Sequence, residues 1–244
     1  MSHLAVIPGG SHRPRAFSMN ARGVAKYMLS SHYAARRVVE DYAFPDEERA
    51  KIIRPVPARE VVLEYFRSGR SDHYIAASIA QHEIVPFGET TYEQGRRRST
   101  LAVAKHLSRF AAKLPFDEVR RPRALTMTIS ELPVKASLDF VCKLEKEDAI
   151  IAVIFNLASD VSDSSDKLAR YAKIECEIAW QITRTHMPSV AQIWYIDALS
   201  EKVIRKHTKS LRAEWRNIET ACDNIIMTYR TLVARRSQAK RTHA

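Results

Sequence analysis

Residues 125–157 read LTMTISELPVKASLDFVCKLEKEDAIIAVIFNL, and this stretch decides the fold class. Thr126–Glu131 alternates small polar and apolar residues, which is typical of a half-buried strand. Val134–Leu144 has the composition of a second strand, and the nearly continuous apolar run Ile150–Leu157 predicts a third strand that is buried on both faces. The polar segment 145–148 is expected to form the hairpin between the last two strands.

Helical patterns flank these strands on both sides. Apolar residues at helical spacing predict a long helix over Glu89–Lys113 and another that begins near Lys167. Val190–Asp197 has the composition of a fourth strand, with which Lys202–Lys206 is expected to pair. The helix between the third and fourth strands permits a mixed sheet. The predicted fold is therefore α/β (α+β), with a mixed central sheet of about four to five strands flanked by helices.

Composition shifts along the chain predict five segments. Residues 1–17 are expected to form a flexible basic arm, 18–88 an N-terminal helical region, 89–206 the α/β core, 207–234 a long amphipathic C-terminal helix, and 235–244 a basic tail with too few apolar residues to fold. Whether residues 18–88 form an independent domain or wrap the sheet stays open at this point.

Capping residues and prolines predict the helix ends in the N-terminal region. Ser18 or Asn20 is expected to cap the first helix, and Pro45 to end it. The segment 45–51, PDEERAK, is expected to begin a short helix, because proline and acidic residues suit a first turn. Asp72 is expected to cap a later helix.

Positive charge is concentrated near one end of the chain. The 244 residues include 39 Lys+Arg and 28 Asp+Glu, a formal net charge of +11, and residues 201–244 alone contribute +7. This balance favours contact with nucleic acid or another polyanion. The candidate nucleic-acid-binding residues are Arg96, Arg97, Arg98, Arg235, Arg236, Lys240 and Arg241. An arginine can place two donors on one phosphate, whereas the alternative for the run 96–98 is a solvated helix face.

The cysteines and the N-terminal sequence indicate where the protein resides. Cys142, Cys176 and Cys222 form neither a CxxC pair nor a Cys/His cluster, and we expect three buried, reduced thiols. The first residues lack the apolar core of a signal peptide, and no window approaches about 18 continuous apolar residues. The expectation is a cytoplasmic protein with no membrane contact.

The C-terminal helix has the clearest periodicity in the chain. Its apolar seam consists of Leu211, Trp215, Ile218, Cys222, Ile225, Tyr229 and Leu232, with spacings that alternate between four and three. Packing against this protein's own core is the first interpretation of the seam. Docking of a protein partner or formation of a homodimer is the second.

The order of helix, three strands, helix and strand, with Asp139 in the second strand, resembles the PD-(D/E)XK nuclease-like superfamily, and its RecB-type members in particular. The resemblance covers roughly residues 89–206. It implies that an acid in the second strand and an acid-x-Lys motif in the third hold Mg²⁺ and orient a water for phosphodiester hydrolysis. Asp139 stands at the first acid, but Ile154 and Asn156 stand where the second acid and the lysine belong. Isoleucine cannot coordinate a cation, and asparagine supplies no positive charge.

The resemblance therefore predicts a catalytically degraded nuclease fold, with no cofactor expected, that binds nucleic acid or serves as a non-catalytic subunit of a nucleic-acid-processing assembly. Two alternatives stay open. An active Mg²⁺-dependent nuclease would use Asp139 and Glu93 as metal ligands and Lys167 as a migrated catalytic lysine, although solvated surface positions suit Glu93 and Lys167 as well. A protein-interaction module would instead use the seam of the C-terminal helix.

Overall fold

Two sheets form the frame of the molecule. The computed structural model describes residues 17–45, 56–157, 164–206 and 212–242. A five-stranded mixed sheet contains, in spatial order, β2 (Phe116–Arg120), β5 (Phe140–Leu144), β6 (Glu147–Asn156), β7 (Val190–Asp197) and β8 (Lys202–Lys206). A three-stranded sheet contains β1 (Met19–Asn20), β4 (Leu132–Lys135) and β3 (Thr126–Ile129). The predicted α/β class with a mixed central sheet is confirmed.

Strand β6 is the centre of the larger sheet. It pairs antiparallel with β5 and parallel with β7, where Ile154 lies opposite Tyr195. A parallel pair needs a crossover, and α6 (Ser165–His186) supplies it. The side chain of Ser164 caps this helix by accepting a hydrogen bond from the Lys167 N–H. Residues 151–155 are fully buried, which confirms the predicted strand with two covered faces.

Helices cover the sheet on both sides. The remaining helices are α1 (Ala21–Leu29), α2 (His32–Ala43), α3 (Val56–Arg67), α4 (Asp72–Glu83), α5 (Thr91–Phe110) and α7 (Arg212–Thr242). On one face, α1, α2, α6 and α7 build a core together with the small sheet. On the other face, α3, α4 and α5 build a second core.

The N-terminal helical region is therefore divided between the two faces of the sheet. Val24 of α1 and Val39 of α2 belong to the same core cluster as Ile178 of α6. Tyr65 of α3 packs in the opposite cluster with Phe140. These helices wrap the sheet, which answers the question that the sequence left open. Of the expected basic arm, 1–17, only Phe17 is among the described residues, and it packs against the Tyr229 ring. Of the expected short helix at 45–51, only Pro45 is described.

One predicted strand is wrong, and two observed strands, β1 and β2, were not predicted. The segment 134–144 is two strands, because β4 ends at Lys135 in the small sheet whereas β5 begins at Phe140 in the large one. Asp139 thus lies immediately before a strand. The neighbour of β5 is β2, an edge strand with a register shift and with Glu118 at a positive φ of 46°. Its sequence, FDEVR, has one buried apolar residue and so lacks a strand-like alternation.

The helix ends show how local chemistry sets the boundaries. Asn20 caps α1 by accepting a hydrogen bond from the Gly23 N–H at 2.7 Å, as predicted. A break at Ser30–Ser31 divides the expected single helix into α1 and α2, and α2 ends at Ala43, just before Pro45. Ser71, not Asp72, caps α4. Helix α7 continues to Thr242, so the expectation of an unfolded tail is wrong for residues 235–242.

The seam of α7 lies in the protein's own core. Ile218, Cys222, Ile225 and Leu232 are buried in the cluster that α1 and α6 share, and Trp215 and Tyr229 pack at its edge. Phe17 stacks on the Tyr229 ring with centroids 4.1 Å apart. Leu211 lies outside the described residues. The seam thus follows the first interpretation, and the side that a partner helix would need is already covered.

Cys142, Cys176 and Cys222 are buried and form no disulfide, as expected. Burial raises the pKa of the Cys222 thiol to about 12. This thiol is therefore protonated at neutral pH and packs as a small apolar group.

Gly23 permits the close packing of α1 against α2. A methyl group on Gly23 would lie 2.6 Å from the Tyr42 hydroxyl and 2.9 Å from Cε of Met19. The Tyr42 hydroxyl also donates a hydrogen bond of 2.6 Å to Oδ1 of Asn20. Moving the Tyr42 ring away from Gly23 would therefore break its hydrogen bond to Asn20, the residue that caps α1.

We expect Gly23→Ala to lower the free energy of unfolding by about 1–3 kcal/mol, because the steric overlap outweighs the gain in helix propensity. Urea denaturation measures the change. The matched control is Gly95→Ala in α5, where a methyl group would meet nothing within 4 Å. It should raise the free energy of unfolding by up to ~1 kcal/mol. A stabilised Gly23→Ala variant would contradict the packing described.

Candidate functional site

Asp139 is held against the end of β6 by the backbone. Its N–H donates to the Val153 carbonyl at 2.8 Å, which places the residue at the entry of β5. Its Oδ2 accepts a hydrogen bond of 2.7 Å from the Phe155 N–H. The carboxylate is 8% exposed. The side chain is therefore fixed in position while one edge remains accessible.

Arg59 of α3 supplies the positive charge beside this carboxylate. Its Nε lies 3.1 Å from Oδ1 of Asp139. The contact is an ion pair without good hydrogen-bond alignment, since Nε has no hydrogen-bond acceptor among the described residues. Burial raises the pKa of Asp139, and the Arg59 charge and the Phe155 N–H oppose that rise. The arginine thus offsets part of the cost of burying the acid.

A pocket of about 330 Å³ opens over this ion pair. Its lining residues are Arg59, Glu60, Val62, Leu63, Arg121, Pro122, Arg123, Ala124, Leu125, Ala136, Leu138, Asp139, Phe140 and Phe155. Val62, Leu63, Phe140 and Phe155 are buried beneath it, and Arg121 and Arg123 are exposed at its rim. Arg121 pairs with Glu60, whereas Arg123 has no ion-pair partner among the described residues. The rim therefore carries net positive charge.

A second arginine organises the groups behind the pocket. Nε of Arg22, in α1, lies 3.2 Å from Oε1 of Glu175 in α6, and its Nη2 donates to Oδ1 of Asn156 at 3.2 Å. The Asn156 amide donates in turn to Oδ1 of Asp197, at 2.6 Å. Burial raises the pKa of Glu175, and the charge of Arg22 opposes this. Oε2 of Glu175 has no hydrogen-bond partner among the described residues.

Ile154 and Asn156, which stand at the two positions that decide the nuclease motif, both pack inside the protein. Ile154 is fully buried in the apolar core under α6, and Asn156 is fully buried in the polar chain of Arg22 and Asp197. In the described part of the chain, no group of three His, Cys, Asp or Glu side chains could hold a metal ion. Because Arg59 already pairs with Asp139, these residues do not fit the Mg²⁺ site that the resemblance implies.

Glu93 and Lys167 do not join Asp139. Oε2 of Glu93 accepts a hydrogen bond of 2.9 Å from the Thr90 N–H, so its carboxylate caps the start of α5. Lys167 is exposed in the first turn of α6. Neither residue lines the pocket that contains Asp139.

The basic residues proposed as nucleic-acid contacts are spread over the surface. Arg97 is tied to Glu89 at 2.9 Å and to the His82 carbonyl at 3.1 Å, so it clamps the connection between α4 and α5. Arg98 is exposed on the same helix. Arg235 and Arg236 are exposed on α7, where Arg236 lies over the Phe44 ring. The side chains of Arg96, Lys240 and Arg241 lie outside the described part of the structure.

Apart from Asp139, the charged residues that build the pocket and its support were not predicted. Three of them leave a signal in the sequence: Arg121 and Arg123 lie in the basic run RRPR at 120–123, and Glu175 falls four residues after Tyr171 within the apolar stripe of α6. A charge inside an apolar stripe indicates a buried partner. Arg22 and Arg59 leave no comparable signal, because their partners are more than 75 residues away.

No protein-family model and no curated protein sequence matches this chain significantly. Among the described helices, none is both long and apolar enough to cross a membrane. The features that bear on function are the geometry of the pocket and the strand order of the large sheet.

Arg22→Met should lower the free energy of unfolding by about 3–5 kcal/mol, because it leaves the fully buried Glu175 without its cation. The double variant Arg22→Met/Glu175→Leu should lower the free energy of unfolding by less than the single variant does, since it removes the uncompensated charge. Urea denaturation at neutral pH gives both values.

The exposed pair of Arg230 and Glu131 provides the control for that experiment. Arg230→Met should change the free energy of unfolding by no more than about 1 kcal/mol, because solvent screens the pair. If Arg22→Met and Arg230→Met lowered the free energy of unfolding equally, the role assigned to the buried pair of Arg22 and Glu175 would be contradicted.

Proposed function

We propose that this chain is a non-catalytic protein of the PD-(D/E)XK nuclease-like type that binds nucleic acid at the pocket beside Asp139. The observation that carries the proposal is the ion pair of Arg59 with Asp139, beneath a rim that holds Arg121 and Arg123. The carboxylate is a poor Mg²⁺ ligand here, because Arg59 and the Phe155 N–H occupy its two oxygens and no group of three potential metal ligands occurs among the described residues. The same arginines offer donors to phosphate oxygens.

The strand order supports the choice of this fold type. In the large sheet β2, β5 and β6 are antiparallel neighbours, α6 crosses over, and β7 is parallel to β6. With α5 ahead of β2, this arrangement has the helix–three strands–helix–strand order of the superfamily. Asp139 enters the middle strand of the three, β5, next to β6. The hairpin of β3 and β4 is then an insertion between the first two strands.

The charge distribution supports the choice of nucleic acid as ligand. The chain carries a net charge of +11, which favours any polyanion in solution. At the pocket, arginines outnumber acidic residues by three to two, and Arg123 is exposed without an acidic partner among the described residues. A phosphodiester backbone presents repeated charges that both the rim and the rest of the basic surface can contact.

Binding should be measured by fluorescence anisotropy with labelled single- and double-stranded DNA and RNA over a range of salt concentrations. The variant Arg121→Gln/Arg123→Gln should weaken binding and reduce the slope of log affinity against log salt by roughly 1.5–2, about one for each lost phosphate contact. The substitutions remove only an exposed ion pair with Glu60, so the fold should persist.

The charge-matched control is Arg184→Gln/Arg216→Gln, which removes two exposed arginines that do not line the pocket. It should retain most of the salt dependence. Equal effects of the two double variants would mean that net charge alone drives binding, and absence of binding to all four nucleic acids at low salt would overturn the proposal.

The proposal also predicts that Mg²⁺ or Mn²⁺ produces no cleavage attributable to this chain, because Asp139 is paired with Arg59 and Asn156 with Asp197. Gel analysis of labelled DNA and RNA measures this. Asp139→Asn serves as the comparison. Metal-dependent cleavage by the unmodified chain that disappears in Asp139→Asn would instead establish the nuclease alternative.

A further inference from the structure

The C-terminal end of α7 extends beyond the core of the protein. Among the described side chains of this helix, Leu232 is the last buried one, and every residue from Ala234 to Ala239 is exposed. Six successive residues complete more than one helical turn, so no side of residues 234–239 is buried. The helix continues to Thr242, so the extension, residues 233–242, is about 15 Å long. We call this extension the α7 arm.

Positive charge is the only charge in the α7 arm. Its sequence, VARRSQAKRT, has four basic residues and no acidic one. The three acidic residues of α7 all lie in the first half of the helix. The basic residues of the arm are Arg235, Arg236, Lys240 and Arg241. A ligand with several negative charges therefore complements the arm.

Arg236 connects the arm to the end of α2. Its guanidinium lies over the ring of Phe44, 3.7 Å from the ring centroid. This stacking uses the flat face of the guanidinium, whereas its N–H donors lie along the edge and can still bind an anion. The Ser237 hydroxyl donates to the Val233 carbonyl at 3.0 Å, within the helix. The arm is thus a helix with a fixed direction.

The basic positions are spread around the axis of the arm. At about 100° per residue, they cover roughly 240° of its circumference. A flat anionic surface would meet only one side of such a helix. A lipid surface also requires an apolar face, and after Val233 the arm has no apolar residue larger than alanine. The charge pattern therefore fits a groove with phosphates on both sides.

The major groove of B-form DNA has the matching dimensions. It is about 12 Å wide, and an α-helix with its side chains is about 10–12 Å in diameter. Phosphates of both strands border this groove. The major groove of duplex RNA is too deep and narrow to admit a helix, and a single strand has no groove.

We infer that the α7 arm binds duplex DNA by entering its major groove, with its four basic residues supplying the phosphate contacts. This inference goes beyond the proposed function, which places nucleic acid at the pocket beside Asp139 and does not distinguish DNA from RNA. The arm is a second surface of the protein, and its shape selects duplex DNA.

Fluorescence anisotropy with a labelled short DNA duplex, the matching RNA duplex and single-stranded DNA tests the inference. The quadruple variant Arg235→Gln/Arg236→Gln/Lys240→Gln/Arg241→Gln should lower the affinity for the DNA duplex at least about tenfold at low salt. It should also reduce the slope of log affinity against log salt by roughly 2–4, about 0.9 for each lost phosphate contact. Its affinity for the other two probes should change less than about threefold. Glutamine preserves the helix, because its helix propensity is close to that of arginine and lysine.

A charge-matched variant separates the arm from net charge. It removes four exposed arginines that lie outside the arm, Arg67→Gln/Arg170→Gln/Arg184→Gln/Arg216→Gln. This variant should lower the affinity for the DNA duplex less than about threefold, because it leaves the phosphate contacts of the arm in place.

Ser237→Pro separates the helix from its charge. It retains every basic residue but breaks the helix within the arm, so it should weaken binding of the DNA duplex at least about fivefold. Ser237→Ala is the matched control and should bind as the unmodified chain does. Circular dichroism and urea denaturation establish that the core is folded in each variant.

Unchanged affinity for the DNA duplex in the quadruple variant would overturn the inference, as would equal losses in the quadruple and the charge-matched variants. Unchanged affinity in Ser237→Pro would overturn the insertion of a helix. An equal loss of affinity for the RNA duplex in the quadruple variant would overturn the assignment to the major groove of DNA.

These failures are distinguishable from failure of the proposed function. Weakened nucleic-acid binding in Arg121→Gln/Arg123→Gln, together with unchanged binding in the quadruple variant of the arm, would refute the inference alone. The opposite result, in which only the variant of the arm weakens binding, would refute the proposed site at the pocket alone.

Discussion

The guanidinium of Arg22 lies where α1, α6 and β6 meet, and the arrangement of all three depends on it. Glu175 is fully buried on the inner side of α6, where an unpaired carboxylate would cost several kcal/mol. Arg22 supplies the opposite charge and also contacts Asn156, which binds Asp197 on the next strand. One side chain from the first helix therefore fixes the crossover helix against the two central parallel strands.

A second arginine, Arg59, approaches the same end of β6 from the helices on the opposite face of the sheet. In the proposed function these two arginines provide, from within the chain, the positive charge that a metal ion would otherwise supply near Asp139. This replacement changes what the site can do: a guanidinium orients and neutralises an anion, but it does not generate a metal-bound hydroxide. Binding without hydrolysis is the outcome that this chemistry favours.

Local patterns predicted much of the fold, and long-range pairing explains most of the errors. In the run 150–157 and in the seam of α7, many residues of one element have the same buried environment. Their hydrophobic pattern therefore predicts the type of element correctly. In contrast, β2 has one buried apolar residue, and the boundary between β4 and β5 is set by which sheet each strand joins. For the pocket, Asp139 was predicted from the resemblance. Its partner Arg59 was not, because no local pattern relates positions 80 residues apart.

The division of the N-terminal helices between the two faces has a consequence for how the chain acquires its structure. Helices α1 and α2 bury their apolar sides against α6 and α7, which are separated from them by more than 100 residues. During synthesis on a ribosome, these apolar sides have no native partner until α6 and α7 have emerged. Helices α1 and α2 are therefore synthesised well before the elements that cover them.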